Sequence, residues 1–226
     1  MAEPRLRYER KFLVTGLARP HVEQGIRMHP ARFHEIHHRR FVNNCYFDTA
    51  GLTAYREAVN GTARRMKVRV RWYGPLFGDI ERPVLEIKTK RGLLGGKTQY
   101  PLPPMTLAAR GHGPTLASWV ERADLPPELD VLRTLRAALV NRYARRYFIA
   151  ADPRFRLTLD DELEYHTVTA PIRRFASFED DPLTTIIELK YVPEADGDAP
   201  GITTRLGFRM TKSSKYVEGM RRLGLR

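Results

Sequence analysis

Apolar and polar residues alternate with period two along most of the chain, and this predicts short β-strands as the dominant element. In Arg65 to Tyr73, Met66, Val68, Val70 and Trp72 fall on one side of an extended strand, with Arg65, Lys67, Arg69, Arg71 and Tyr73 on the other. That second face is almost purely cationic. Val84 to Lys90 sets Leu85, Ile87 and Thr89 against Glu86, Lys88 and Lys90, and Phe155 to Asp160 sets Phe155, Leu157 and Leu159 against Arg156, Thr158 and Asp160. Thr185 to Tyr191 opposes Ile187, Leu189 and Tyr191 to Ile186, Glu188 and Lys190, and the opening Leu6 to Val14 places Glu9 and Lys11 on one side and Phe12 on the other. Further strands are predicted at Arg40 to Asp48, Lys97 to Leu102, Arg145 to Ala150, Val168 to Phe178 and near Phe208 to Lys212. Two helices interrupt them: Thr115 to Arg122, with a threonine cap after Pro114, and Glu128 to Tyr143, where Leu129, Leu132, Leu135 and Leu139 recur at helical spacing. Pro193 to Gly201 reads as an exposed loop. The expected fold is α+β and mainly antiparallel β: a closed, tunnel-like β-barrel with a charged lumen and a few helices packed outside. A single domain over residues 1–226 is expected, with a helical insert at about 114–143.

Composition narrows the class. The chain has 226 residues, 42% of them hydrophobic, so it can bury a core and is neither disordered nor a disulfide-stapled miniature. Cys45 is the single cysteine, which rules out an internal disulfide and fits a reducing, cytoplasmic setting. No stretch approaches the ~20 apolar residues of a membrane span, so no transmembrane segment is expected. The formal net charge of +13 points to a polyanionic partner.

The placement of that charge is more informative than its sum. A sheet rolled on itself brings one side of every strand toward the axis, and here that side carries long basic side chains with a minority of acids. Eight cations are expected inside: Lys11, Arg69, Arg71, Lys88, Lys97, Arg145, Lys190 and Lys215. They outnumber the carboxylates Glu9, Glu86, Glu188 and Asp160 on the same faces. Converging cations in a low-dielectric site need an anion to offset their repulsion, and phosphate suits both the planar fork of arginine and the point charge of lysine. Carboxylates among them can hold a hard divalent cation such as Mg²⁺ or Mn²⁺.

These segments, in this order, resemble the VTC-type polyphosphate polymerase domain, a branch of the triphosphate tunnel metalloenzymes that also include the CYTH proteins. The likeness runs through Tyr8-Glu9-Arg10-Lys11-Phe12, Tyr46-Phe47-Asp48-Thr49, Lys67-Val68-Arg69-Val70-Arg71-Trp72-Tyr73 and Leu85-Glu86-Ile87-Lys88. It continues in Arg142-Tyr143-Ala144-Arg145, Phe155 to Asp160, Ile187-Glu188-Leu189-Lys190 and Ser213-Ser214-Lys215-Tyr216. The resemblance implies an antiparallel β tunnel that transfers the γ-phosphate of ATP to a growing polyphosphate chain, with Mn²⁺ or Mg²⁺ as cofactor. It also implies that Lys11, Arg69, Arg71, Lys88 and Arg145 act on the reacting phosphates. Lys97, Tyr143, Lys190, Ser214 and Lys215 would bind phosphate or nucleotide, and Glu188, Glu9 and Glu86 would serve as metal ligands. Arg7 stands where the hydrolytic CYTH motif Glu-x-Glu-x-Lys has its first acid, which favours the polymerase over one alternative, a hydrolase of inorganic or organic triphosphates; the other alternative is a non-catalytic module that binds polyphosphate or nucleotide. The regulatory and transmembrane regions that accompany the domain in eukaryotic complexes are not found in the chain, so no membrane-complex partner is identified.

Competing patterns carry less. His34-Glu35-Ile36-His37-His38 satisfies H-E-x-x-H, but a zinc site needs a long helix, and this stretch follows Pro30 and leads into a strand; a short basic loop is expected. Gly92 to Thr98 lacks the P-loop spacing and reads as a glycine hairpin with Lys97 directed inward. Nucleic acid is not expected as a partner, because no aromatic stacking platform or basic recognition helix is evident. Removing Arg69 or Lys88 is expected to abolish turnover with little loss of fold, since a like charge leaves a cationic cluster.

Overall fold

The computed structural model describes residues 7–91, 94–108, 115–168, 177–179 and 183–224. The strands are β1 (Tyr8–Val14), β2 (His34–Asp48), β3 (Arg64–Tyr73), β4 (Gly78–Ile80), β5 (Val84–Arg91), β6 (Leu94–Pro101), β7 (Met105–Leu107), β8 (Arg136–Ile149), β9 (Phe155–Thr167), β10 (Ser177–Glu179) and β11 (Thr185–Tyr191). The helices are α1 (Arg19–Arg27), α2 (Thr53–Asn60), α3 (Leu116–Val120), α4 (Ala199–Leu206) and α5 (Lys215–Arg222). One antiparallel sheet runs β1-β11-β9-β8-β2-β3-β5-β6, with β10 paired to β9, and β4 and β7 form a separate ribbon.

The sheet is rolled. Laid flat, β1 and β5 would stand six strand spacings apart, roughly 29 Å at about 4.8 Å each. Yet Lys88 of β5 interacts electrostatically with Glu9 of β1 and with Glu188 and Lys190 of β11. The outer strands β1 and β6 approach closely enough for one isolated bridge, Arg7 to Gly95. No continuous ladder joins them among the described residues, so the closed barrel expected from sequence is not what the hydrogen bonding forms.

Alternation assigns the two faces. The outer face of β1, β9 and β11 presents Phe12, Leu157, Leu159, Ile187 and Leu189, which pack beneath Val22 and Ile26 of α1 and Ala199 and Leu206 of α4. On the other half, Cys45, Val68, Val70, Trp72 and Leu85 pack beneath Leu116, Trp119 and Val120 of α3 and Leu132. Burial of such side chains, at about 1.5–3 kcal/mol each, is the main force holding the rolled sheet together. The inner face keeps the charged residues, and α5 lies on it, with Tyr216 and Met220 against Tyr46, Leu139, Tyr143 and Ile186. Gly219 permits this seat: a Cβ there would stand 2.5 Å from Tyr165 Cδ1 and 2.6 Å from Leu139 Cδ2. Helices therefore cover both sides, not only the outside.

Several local expectations need correction. Glu128 to Tyr143 is not a helix: a 3₁₀ turn spans Pro127–Thr134, and Arg136–Ile149 forms β8, paired on both sides with β2 and β9. Two flanking ladders outweigh the helical spacing of four leucines. The helical part of the insert is thus α3, capped as expected by Thr115 Oγ1, which accepts a hydrogen bond from Ser118 N at 3.2 Å. His34 to His38 is strand, not loop, because β2 pairs with β8 from His34 onward across register shifts at His37. Pro193 to Gly201 is ordered as a 3₁₀ turn and the start of α4, not an exposed loop. Near Phe208 to Lys212 only an isolated bridge, Phe12 to Met210, is formed. The strand expected at Val168 to Phe178 falls partly outside the described residues, as do Gly92 and Leu93.

Candidate functional site

Strand parity places the inner-face residues of the sheet, α5 adds Lys215 and its cap Ser214, and two carboxylate-centred clusters result. Glu86, fully buried on β5, anchors the first. Its Oε2 accepts from Arg69 Nε at 2.8 Å and Nη2 at 2.6 Å, and its Oε1 accepts from Gln99 Nε2 at 2.9 Å and Lys97 Nζ at 3.2 Å. Arg71 Nη1 stands 3.6 Å from the same oxygen, and Arg71 Nε also donates to Asn44 Oδ1 at 3.1 Å. Arg69 Nη1 donates to Tyr46 OH at 3.2 Å. Both oxygens of Glu86 are therefore occupied by cationic or amide donors.

Asp160 and Glu188 anchor the second. Asp160 takes a two-pronged contact from Arg145, including Nη2 to Oδ2 at 2.6 Å, and Lys215 Nζ lies 2.6 Å from Oδ2. Glu188 lies 3.0 Å from Lys190 and 3.2 Å from Lys11, and each of those lysines is also 3.6 Å from Glu9. Lys215 opens α5, where the helix dipole disfavours a cation, and Asp160 and Glu188 offset that cost. Tyr143 joins the two clusters: Arg71 Nη2 donates to its hydroxyl at 3.4 Å, and Lys215 Nζ lies 4.7 Å from its ring centroid. Ser214 caps α5, its Oγ accepting from Val217 N at 3.4 Å and from Lys67 Nζ at 2.8 Å.

The electrostatics are one-sided. Burial opposes ionisation of Glu188, Asp160 and Glu86, yet the surrounding cations prevail and hold all three carboxyls below the usual range. Burial also opposes ionisation of Glu9, but Lys11 and its neighbours bring it down to about 2. Two inner-face lysines without a close ion pair among the described residues, Lys88 and Lys67, are lowered as well, which for an ammonium favours the neutral form. Burial, then Arg69 and Lys190, hold the Lys88 ammonium well below its ordinary value. Burial, then Lys11, Arg65, Arg69 and Lys90, bring Lys67 down to about 7. For the carboxylates the stability sign follows directly: a depressed folded value contributes stability above the unfolded value, which is lost as pH falls through the folded one. Urea midpoints should therefore drop steeply between about pH 5 and about pH 2; a flat profile over that window would contradict these pairings.

Residues 6–224 match the family described as the VTC domain. The chain belongs to that family. No functionally curated protein matches it. Among solved structures the VTC domain is similar to a candidate adenylate cyclase from Vibrio parahaemolyticus, with a TM-score of 0.53 at 10% identity over 95% of this chain and 98% of the other. It is also similar to the candidate adenylyl cyclase HpAC1 from Hippeastrum, reported with a dominant triphosphatase activity, with a TM-score of 0.49 at 13% identity over 97% and 95%. The first likeness supports the same chain fold.

Of the residues singled out in the sequence, the VTC domain brings Lys11, Arg69, Arg71, Lys88, Lys97, Tyr143, Arg145, Lys190, Ser214 and Lys215 to the inner face, with Glu9, Glu86 and Glu188. Asp160 was visible as a face residue, but its double engagement by Arg145 and Lys215 was not. Lys67 was equally visible in the alternation of β3. Tyr46, Asn44 and Gln99 carry no charge and gave no such signal.

Proposed function

We propose that this VTC domain is an ATP-dependent polyphosphate polymerase. The observation that carries the reading is the convergence of eight basic side chains from six strands and one helix onto a single rolled face, with Lys67 and Lys88 left without close acidic partners among the described residues. A linear polyanion fits such a face better than a compact one, because the cations are spread over seven elements.

Lys11, Arg69, Arg71, Lys88 and Arg145 bind the reacting phosphates, and Lys97, Lys190, Lys215, Tyr143 and Ser214 hold the rest of the chain in line. A terminal phosphate oxygen of the acceptor attacks the γ-phosphorus of ATP, the bond to the bridging oxygen breaks, ADP leaves and the acceptor grows by one unit. The attacking oxygen is already anionic, so positioning and charge neutralisation matter more than a strong base. Glu188 and Glu9 are ionised oxygen donors on this face, and the Thr158 hydroxyl, paired in register with Glu188, is buried without a hydrogen-bond partner among the described residues. That donor set suits Mg²⁺ or Mn²⁺ completed by phosphate and water, which would neutralise phosphate charge. Among the described residues no three acidic, histidine or cysteine side chains gather as a self-sufficient metal cage. Glu86, with both oxygens engaged, is assigned to holding Arg69 and Lys97 and not to the metal.

Incubation with ATP and Mn²⁺ should yield ADP and long-chain polyphosphate. Orthophosphate as the sole phosphate product would replace this reading with a triphosphatase. Glu188→Gln should shift the Mn²⁺ titration to higher concentration, and an unchanged titration would remove Glu188 from the metal.

A further inference from the structure

The inner face does not end at Arg71 and Arg145. On β3 the next residue of the same parity is Tyr73, and on β8 it is Tyr147, so Arg-x-Tyr occurs twice, as Arg71-Trp72-Tyr73 and Arg145-Arg146-Tyr147. Register keeps both tyrosines on the inner side: Tyr73 pairs with Val42, which pairs with Tyr143, and Tyr147 pairs with Thr158. Between them stands Arg40, which pairs with Arg145 across β2 and β8. Its guanidinium lies 4.4 Å from the Tyr73 ring centroid and 4.8 Å from that of Tyr147. Arg40 forms no close ion pair among the described residues; the two rings and a hydrogen bond to the Tyr147 side chain, which also bonds Tyr73, fix its orientation in place of a carboxylate. Tyr73 is 45% exposed, and the Arg145 guanidinium lies 5.9 Å from the Tyr147 ring, which joins this rim to the phosphate-binding clusters.

Phosphate alone does not call for such a rim. Ammonium and guanidinium groups recognise it without rings, and the rings beside cations deeper on this face, Tyr46, Tyr143 and Tyr216, are buried, whereas Tyr73 is open. An exposed tyrosine backed by a planar cation suits a planar π system, because every base offers a stacking face and arginine adds a cation–π contribution. The spacing also fits. Two residues of extended strand separate each tyrosine from its arginine, roughly 7 Å, which is the span a ribose bridges between a phosphate and its base.

We propose that Tyr73, Arg40 and Tyr147 form a nucleobase platform at this end of the tunnel, stacking the base of a nucleoside triphosphate whose phosphates lie on Arg71 and Arg145. This rests on the proposed phosphate-binding role of the inner face, and it adds the feature that separates a nucleotide from an inorganic triphosphate. The platform is sequence-tolerant among bases, since stacking and not edge recognition holds the ring.

The test is a ratio. Calorimetric affinities for a nonhydrolysable ATP analogue and a nonhydrolysable tripolyphosphate analogue are measured with Mg²⁺ on the unaltered chain, Tyr73→Leu, Arg40→Met and Tyr73→Trp. Tyr73→Leu should weaken the nucleotide by roughly tenfold, the effect of losing one base stack, and leave the tripolyphosphate analogue unchanged. Arg40→Met should act in the same direction, and Tyr73→Trp should preserve or strengthen nucleotide binding. Equal losses for both ligands, or no loss for either, in Tyr73→Leu and Arg40→Met would overturn the platform while leaving the phosphate site standing. Failure of the unaltered chain to bind the tripolyphosphate analogue would overturn the phosphate site, and the platform with it.

Discussion

Arg69→Ala is expected to cost about 3–5 kcal/mol of folding stability, the range for breaking a buried ion pair, in addition to turnover. Glu86 is fully buried and receives two hydrogen bonds from Arg69, so truncation leaves a carboxylate whose remaining donors are Lys97, Gln99 and the more distant Arg71. Lys88→Met should behave oppositely. Lys88 has no close ion pair among the described residues, and burial together with Arg69 and Lys190 disfavours its charged form, so an apolar side chain of similar length relieves a cost. Turnover should be lost while the urea midpoint holds or rises. The expectation that both cations could be removed with little loss of fold is therefore kept for Lys88 and revised for Arg69, because of the two only Arg69 is paired with a buried acid. Equal stability of the two variants would contradict the Glu86 cluster.

Asp160→Ala should be comparably severe, at about 3–5 kcal/mol, for the mirror-image reason. It strands two buried cations, Arg145 and Lys215, whose next acid, Glu188, lies at 3.6 and 3.8 Å. Stranded cations are open to rescue by an anion. Tripolyphosphate should raise the melting temperature of Asp160→Ala by more than it raises that of the unaltered chain, through mass action on the folded state. An equal or smaller increment would mean that Asp160 does not hold Arg145 and Lys215 for phosphate.

Much of the site was legible because charge and alternation coincide on the same strands. Arg69, Arg71, Glu86, Lys88, Glu188 and Lys190 occupy period-two positions whose neighbours are apolar, and the rolled sheet needs those neighbours outside. The error at Glu128 to Tyr143 has a definite source. Leu132 and Leu135 are core residues of a turn, whereas Leu139 faces inward toward α5, so one apparent stripe serves two different packings. The short helices were harder to read. The α5 helix offers two turns, with Tyr216 and Met220 four residues apart, and the strongest reason for its seat, the missing side chain of Gly219 against Tyr165, is visible only after folding. The pairing of Arg145 with Asp160 likewise depends on the β8–β9 register, which passes through a shift near Ala144 that no local pattern announces.

The sheet also imposes an order on synthesis. Among the described residues, strand β1 pairs in the sheet with β11 alone, and Arg10 and Tyr191, which hydrogen-bond across that seam, are 181 residues apart. At about 5–20 residues per second, the ribosome leaves the first strand without its sheet neighbour for on the order of ten to forty seconds. During that interval Phe12 and Val14 have no finished surface to cover them, so nascent chains should engage chaperones through β1 and release them only once β11 emerges.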